Sequence, residues 1–499
     1  MGKAVVLRAW LTFLLATIFF GYAFFQRTAP SAILGDLQRE YELDAAGLGA
    51  LAGAYFYSYA AVQLPAGAVL DRTGPVQLLA VMSAAACGAS LVFSQGTSLL
   101  ALLLGRLLVG ACVSVGWISI LALVSQERVF DGFRQGLTGF AMTVGLGCGM
   151  IGQAPLAVFS KAVGWRMAMG LSSIWPGVCG AGLCVLWATG RRQVRPGKAE
   201  EGTSAAAVAA TTAAATTAAT MDRGPTTRPP PSRRCRLAAV CTNPVNMAAC
   251  AYSILFFSPL LAFASLWSVP FVSQVGGLPV DEAGVVSSMF LAGCAVGSPL
   301  GGALSDYLEN TKKRQIMLGC QLLAASAMAL ILLGVGRFLS AGWAGVCFFV
   351  AGFGQGPAQV LMFFIVGENN APEMKSAAMA LVNMAGLASG AVFQPLLGAL
   401  LDVSWQGAYV NATSLVGGAN GTKGTTGQRA WRPENWRVVF GSVFGCVYLF
   451  SAGIVVLLFP SEARGTQTSR SRRSRQQRQE EPEDEVDPGG MVAVEVVEL

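Results

Sequence analysis

A chain of 499 residues with 54% hydrophobic and only 12% charged residues is too apolar to present a water-soluble surface. A net charge of +7 with no histidine excludes the commonest proton relay and the commonest metal ligand. A G-x-S-x-G nucleophile turn and a phosphate-binding P-loop are also missing, which leaves an intramembrane enzyme without its parts.

Apolar stretches recur along the chain, each long enough as a helix to cross a hydrocarbon core of roughly 30 Å. Twelve spans are expected, at residues 10–34, 47–70, 76–94, 99–124, 136–159, 167–190, 245–274, 283–304, 315–335, 341–366, 375–401 and 438–459. The first run is too long for a signal-peptide core, shows no small-residue cleavage site and leads straight into further spans, so it is expected to be retained. Arg27 falls within it, either facing an interior cavity or, if the helix stops at Phe25 before Pro30, snorkelling to the interface. Span 2 ends in "GAVLDRTG", where an acid, a base and two glycines interrupt the apolar pattern. Span 4 holds Arg106 in "LLLGRLLVGACVSVG", a buried cation that either binds backbone carbonyls of neighbouring helices or meets a solute. In span 5, Gly145, Gly147, Gly149 and Gly152 read as close helix packing.

Residues 191–236 switch to an Ala/Thr-rich and then Pro/Arg-rich composition that has no apolar periodicity and reads as a disordered cytoplasmic linker. The domains expected on either side are residues 1–190 and 237–460, six spans each, followed by a disordered cytoplasmic tail, 461–499, in which a basic block adjoins an acidic one. The two halves repeat. Gly67-Ala-Val-Leu-Asp71 after span 2 corresponds to Gly302-Ala-Leu-Ser-Asp306 after span 8. Trp165-Arg166 opens span 6 as Trp436-Arg437 opens span 12. Most of the basic residues fall on the cytoplasmic side when both termini are placed there. Residues 402–437 are then external, and Asn411-Ala-Thr413 and Asn420-Gly-Thr422 read as glycosylation acceptors, making the chain a glycoprotein. The twelve cysteines show no C-x-x-C spacing and read as small packing residues.

The G-x-x-x-D-R-x-G spacing of Gly67, Asp71, Arg72 and Gly74, together with Arg106 and the weaker copy at Gly302 and Asp306, resembles the signature of the major facilitator superfamily. The resemblance implies an all-α membrane protein in which two pseudo-symmetric six-helix bundles surround a central cavity. It also implies alternating access by rocking, with a solute site near the midplane. Within the superfamily, "FFQRTAPSAILGDLQREYELDAAGLGALAGAYFYSYAAVQLPAGAVLDRTG" looks most like the branch containing lysosomal dipeptide transporters and related bacterial carriers. Arg27 also sits where the organophosphate and anion-cation symporter branches carry an anion-contacting arginine. Both likenesses imply a small solute bearing a carboxylate or phosphate, dipeptides and amino acids among them, carried across a lysosomal or plasma membrane.

The opening interruption then has a physical reading. Asp71 ends span 2 at the cytoplasmic face, where its carboxylate can meet the positive start of span 11 near Lys375 and Ser376. Asp306 would do the same against span 5 near Arg134 and Gly136. Such contacts exist only when the cytoplasmic end is closed; the alternative is a solvated turn that serves topology alone. Two departures from the signature, Pro75-Val76 after the last glycine and Tyr307 in place of the second arginine, reduce its charge.

Arg27, Gln63, Arg106, Gln355, Gln359 and Asn383 are the expected solute-binding residues, with Gln153 and Gln394 as further intramembrane amides. No Asp, Glu or His falls inside an expected span, so uniport or exchange is expected in preference to proton symport. No cofactor, metal or nucleic acid is expected. The partners are the solute and the lipid bilayer, with an accessory membrane subunit left open and a monomer otherwise. A non-transporting sensor or accessory scaffold on the same fold is the alternative.

Overall fold

Backbone amides cannot be left unpaired in hydrocarbon, and the chain meets that constraint with helices almost throughout. The computed structural model describes residues 3–130, 133–193, 239–305, 310–404, 409–410, 428–429 and 431–457. The linker beyond residue 193, the tail, Asp306, Asn411 and Asn420 lie outside the described residues.

Eleven helical segments among the described residues are long and apolar enough to cross a membrane. The remaining span, Ala45–Thr73, is 29 residues long, and Tyr55, Tyr57, Tyr59 and Gln63 lower its apolarity. In the first half the spans are Lys3–Tyr41, Ala45–Thr73, Pro75–Gln95, Leu99–Val113 continued by Val115–Gln126, Arg134–Ile151 continued by Ala154–Val163, and Trp165–Ser172 continued by Ile174–Gln193. Span 7 consists of Pro244–Phe256, a π-helical stretch Pro259–Trp267 and Ser268–Gly276. Val280–Ser305, Asn310–Gly334, Ala341–Glu368, Pro372–Val403 and Pro433–Leu457 complete the second half. Between spans 11 and 12 a two-residue antiparallel ribbon pairs Tyr409–Val410 with Gln428–Arg429.

Span 1 departs most from its expected bounds. Its 39 residues reach roughly 58 Å, well past a hydrocarbon core of roughly 30 Å. Pro30 lies inside it without ending it. Proline lacks the N–H that would bond the carbonyl four residues back. That carbonyl, of Gln26, is taken instead by Arg106 Nη1 at 2.9 Å. The longer helix also takes in Asp36 and Glu40, which corrects the expectation that no acid lies inside a span. Both sit near its end, Asp36 paired with Arg39 and Glu40 with Arg166. No acid is buried among the described residues.

The repeated Trp-Arg pairs do the same work in both halves. Arg166 Nη1 donates to Ser94 O at 3.0 Å and Gly96 O at 2.7 Å, at the end of span 3. Arg437 Nε and Nη2 donate to Leu332 O at 3.2 Å and Val335 O at 2.8 Å, at the end of span 9. The last carbonyls of a helix have no helical donors, so each arginine caps the span three places before its own. Arg437→Ala is therefore expected to cost about 1–3 kcal/mol, the range for a charged hydrogen bond lost with its partner left behind. A thermal unfolding midpoint unchanged from wild type would refute the cap.

The halves meet at the end that holds Tyr41. There a Cβ built on Gly49 would lie 2.8 Å from Pro395 Cα, and one on Gly284 would lie 2.8 Å from Ala154 N, so spans 2 and 11 and spans 5 and 8 touch through glycine. Asp402 of span 11 accepts from the first amides of span 2, and Lys161 of span 5 pairs with Asp281 of span 8. Toward the Lys3 end, Gly67 and Gly302 have open space where a Cβ would sit. No hydrogen bond or ion pair joins the halves there among the described residues. Neither signature glycine marks a close helix contact in this conformation.

Candidate functional site

The site grows from one face of span 1 and one face of span 2. Tyr55 and Tyr59, four residues apart, lie in tilted contact on the same side of span 2 and meet Arg27. Arg27 is 7% exposed. Its guanidinium lies 4.3 Å from the Phe24 ring centroid and 5.2 Å from that of Tyr59, a pair of aromatic faces that fixes its plane. Nε donates to Tyr55 Oη at 3.5 Å, and Tyr55 Oη donates to Ala23 O at 3.0 Å.

Arg106 approaches Tyr55 from span 4, its Cζ 5.1 Å from the ring centroid. Its donors are largely committed. Nη1 reaches Gln26 O at 2.9 Å and Gln26 Oε1 at 3.3 Å, while Nη2 reaches Ala52 O at 3.4 Å. Gln26 Nε2 continues the network by donating to Tyr22 Oη at 2.5 Å, and Tyr22 in turn contacts Ser90 Oγ. A void of about 10 Å³ between Arg106, Pro30, Leu48, Phe93 and Leu266 has room for one water and none for an organic solute.

The buried charged side chains among the described residues are Arg27, Arg106 and Lys313, and only Lys313 has an acid, Glu368. Two guanidinium groups therefore flank Tyr55 with no carboxylate within 4 Å among the described residues. Each buried cation costs roughly 2.5–3.5 kcal/mol at a helix centre on insertion scales. Such a cost is met by backbone acceptors at Arg106, whereas Arg27 rests mainly on ring faces.

The expected amides do not join this cluster: none bonds to either arginine among the described residues. Gln63 is buried in span 2, with Oε1 lacking a partner there. Gln355 Nε2 donates to Phe256 O in span 7, and Gln359 and Asn383 are half-buried. Gln153 and Gln394 grip the π-helical stretch from opposite halves, donating at 2.7 Å to Ala264 O and at 2.7 Å to Leu261 O. Of the span 5 glycines, Gly145 packs on Phe24 and Gly152 on the Phe25 carbonyl, while Gly149 approaches Leu291.

In the signature itself, Gly74 has φ 78°, a left-handed value that glycine takes without strain, and it turns span 2 into span 3. Arg72 is exposed. Asp71 occupies the last turn of span 2, and its side chain lies outside the described residues. Tyr55, Tyr59 and Gln26 were not singled out from the sequence. The four-residue spacing of the tyrosines in "AYFYSYAAVQ" was the available signal.

A two-half bundle of helices long and apolar enough to cross a bilayer is the architecture of a multi-pass membrane protein. The Major Facilitator Superfamily profile matches residues 12–395 and again 253–485, and the chain belongs to that superfamily. Among solved structures it is similar to a bacterial homolog of the human lysosomal transporter Spinster in an inward-facing, unoccupied conformation. That match has TM-score 0.66 and 16% identity and covers 93% of this chain and 100% of that one. A D-xylose-proton symporter aligns with TM-score 0.63 and 13% identity over 91% of this chain and 98% of that one. The nucleoside transporter NupG aligns with TM-score 0.59 and 12% identity over 90% and 99%. At these identities the likeness concerns the fold alone. No curated protein matches the chain.

Proposed function

We propose that the protein carries a small organic anion, bearing a carboxylate or phosphate, by alternating access, with Arg27 as the group that meets the negative charge. The observation that supports this reading is the pair of buried guanidiniums around Tyr55 with no acid beside them. A planar fork resting against the Phe24 and Tyr59 rings is suited to two parallel hydrogen bonds to such a group. Arg106 adds positive field while holding spans 1, 2 and 4 together. Dipeptides and amino acids belong to the solute class, in keeping with the branch the span 1–2 sequence resembles. With both termini cytoplasmic, the Tyr41 end, where the halves meet, is external or lumenal, in a lysosomal or plasma membrane.

Coupling is read from the same residues. The acceptor facing Arg106 is the Gln26 amide, which takes up no proton, and no acid is buried among the described residues. Transport is therefore uniport or exchange. In proteoliposomes, carboxylates, dipeptides and phosphate esters are to be screened first for thermal stabilisation and then for flux. Uptake is expected to follow the solute gradient and to change little when the pH gradient is abolished. Concentrative uptake that collapses with a protonophore would overturn the coupling, and flux confined to neutral or cationic solutes would overturn the anion reading.

A further inference from the structure

The first four amides of a helix have no helical acceptors of their own. At the start of span 2, Leu48 N–H makes the first helical bond, to the N-cap carbonyl of Asp44 at 3.0 Å, and the Asp44 side chain satisfies Gly47 N–H through Oδ1 at 2.7 Å. The amides of Ala45 and Ala46 are satisfied from the opposite half. Asp402, in the last turn of span 11, accepts Ala45 N–H at 3.1 Å through Oδ1 and Ala46 N–H at 2.7 Å through Oδ2. The carboxylate thus sits on the positive end of span 2, where a negative charge is stabilised. Glycine makes the approach possible: a Cβ on Gly398 would run into the Ala45 backbone.

We infer that Asp402 is a latch: its carboxylate on the first amides of span 2 holds the Tyr41 end closed and has to let go when the halves part there. Asp44 keeps the first turn of span 2 capped after Asp402 leaves, and the freed amides of Ala45 and Ala46 pass to water. The latch therefore releases at modest cost. The charged pair between the halves at this end, Lys161 with Asp281, is half-exposed at 53% and 34%, and an exposed pair adds little.

The test needs no solute, so its outcome is separable from the transport reading. Spin labels at Val163 and Val403, on opposite halves at the Tyr41 end and both exposed, report the separation in the full chain in lipid nanodiscs. Wild type is expected to show mainly the short separation. Asp402→Asn should enlarge the long-separation population relative to the short one by roughly two- to thirtyfold, the span of measured charge effects at helix ends. Asp402→Ala, which removes the acceptor as well, should do so at least as strongly. Monodisperse Asp402→Asn and Asp402→Ala proteins with the wild-type distribution would overturn the latch. If Asp402→Ala fails to fold, the near-isosteric Asp402→Asn decides alone.

Discussion

Replacing Arg27 with alanine is expected to reduce uptake nearly to zero while the protein reaches its normal abundance. The side chain is held by ring faces and one long hydrogen bond to Tyr55, so its loss removes little that the fold depends on. What it removes is the charged fork. A hydrogen bond to a charged group contributes about 1.5–3 kcal/mol, so losing one raises the apparent KM by about ten- to a hundredfold, and losing a bidentate pair does more. Arg27→Lys keeps the charge and loses the fork geometry, and several-fold weaker apparent affinity with intact insertion is the expected result. Initial uptake rates across a solute series measure both. An Arg27→Ala protein, present at normal levels and transporting with unaltered KM, would remove Arg27 from the site and leave Arg106 next in line.

Arg106 is expected to behave differently, because its donors serve the fold. In Arg106→Leu the Gln26 carbonyl, already without a helical donor on account of Pro30, loses its remaining partner. An unsatisfied buried acceptor costs about 1–3 kcal/mol, and the Gln26–Tyr22–Ser90 network loses its anchor as well. Abundance and the thermal midpoint should both fall. Pro30→Ala returns an N–H to the Gln26 carbonyl, so the double variant Pro30→Ala/Arg106→Leu should regain part of the lost midpoint and, with Arg27 intact, part of the uptake. Thermal unfolding of the four proteins in one detergent closes the cycle. If Pro30→Ala leaves the Arg106→Leu midpoint where it was, the carbonyl is not what Arg106 supports.

Much of the architecture was legible in the sequence because a bilayer permits so few solutions. Hydrocarbon thickness sets the span length, and runs such as residues 99–124 and 341–366 announced themselves by length alone. The paired Gly67–Asp71 and Gly302–Asp306 segments, and the paired Trp165-Arg166 and Trp436-Arg437, showed that the chain has two related halves. Span 1 runs past 10–34 at both ends, to Lys3–Tyr41, because the helix continues through polar residues that hydropathy does not count, and Pro30 is accommodated inside it where the carbonyl behind it has another donor. That donor, Arg106, is 80 residues away. The candidate site was half legible for the same reason. Arg27 and Arg106 were visible as charges in apolar runs, whereas Tyr55 between them and Gln26 beneath Arg106 acquire meaning only through contacts across spans.

The sequence by itself determined that the chain crosses a membrane many times, that it repeats, that its interior carries cations without histidine, and that span 2 ends in a charged turn. These are properties of composition and spacing, which the solvent alone makes decisive. Tertiary structure decided what the charges face. It gave Arg106 to the Gln26 carbonyl, laid Arg27 against two rings, and set Asp402 on the first amides of a helix more than 350 residues earlier in the chain. Partnership of that kind depends on which helix ends meet when two halves pack, and hydropathy carries no record of it.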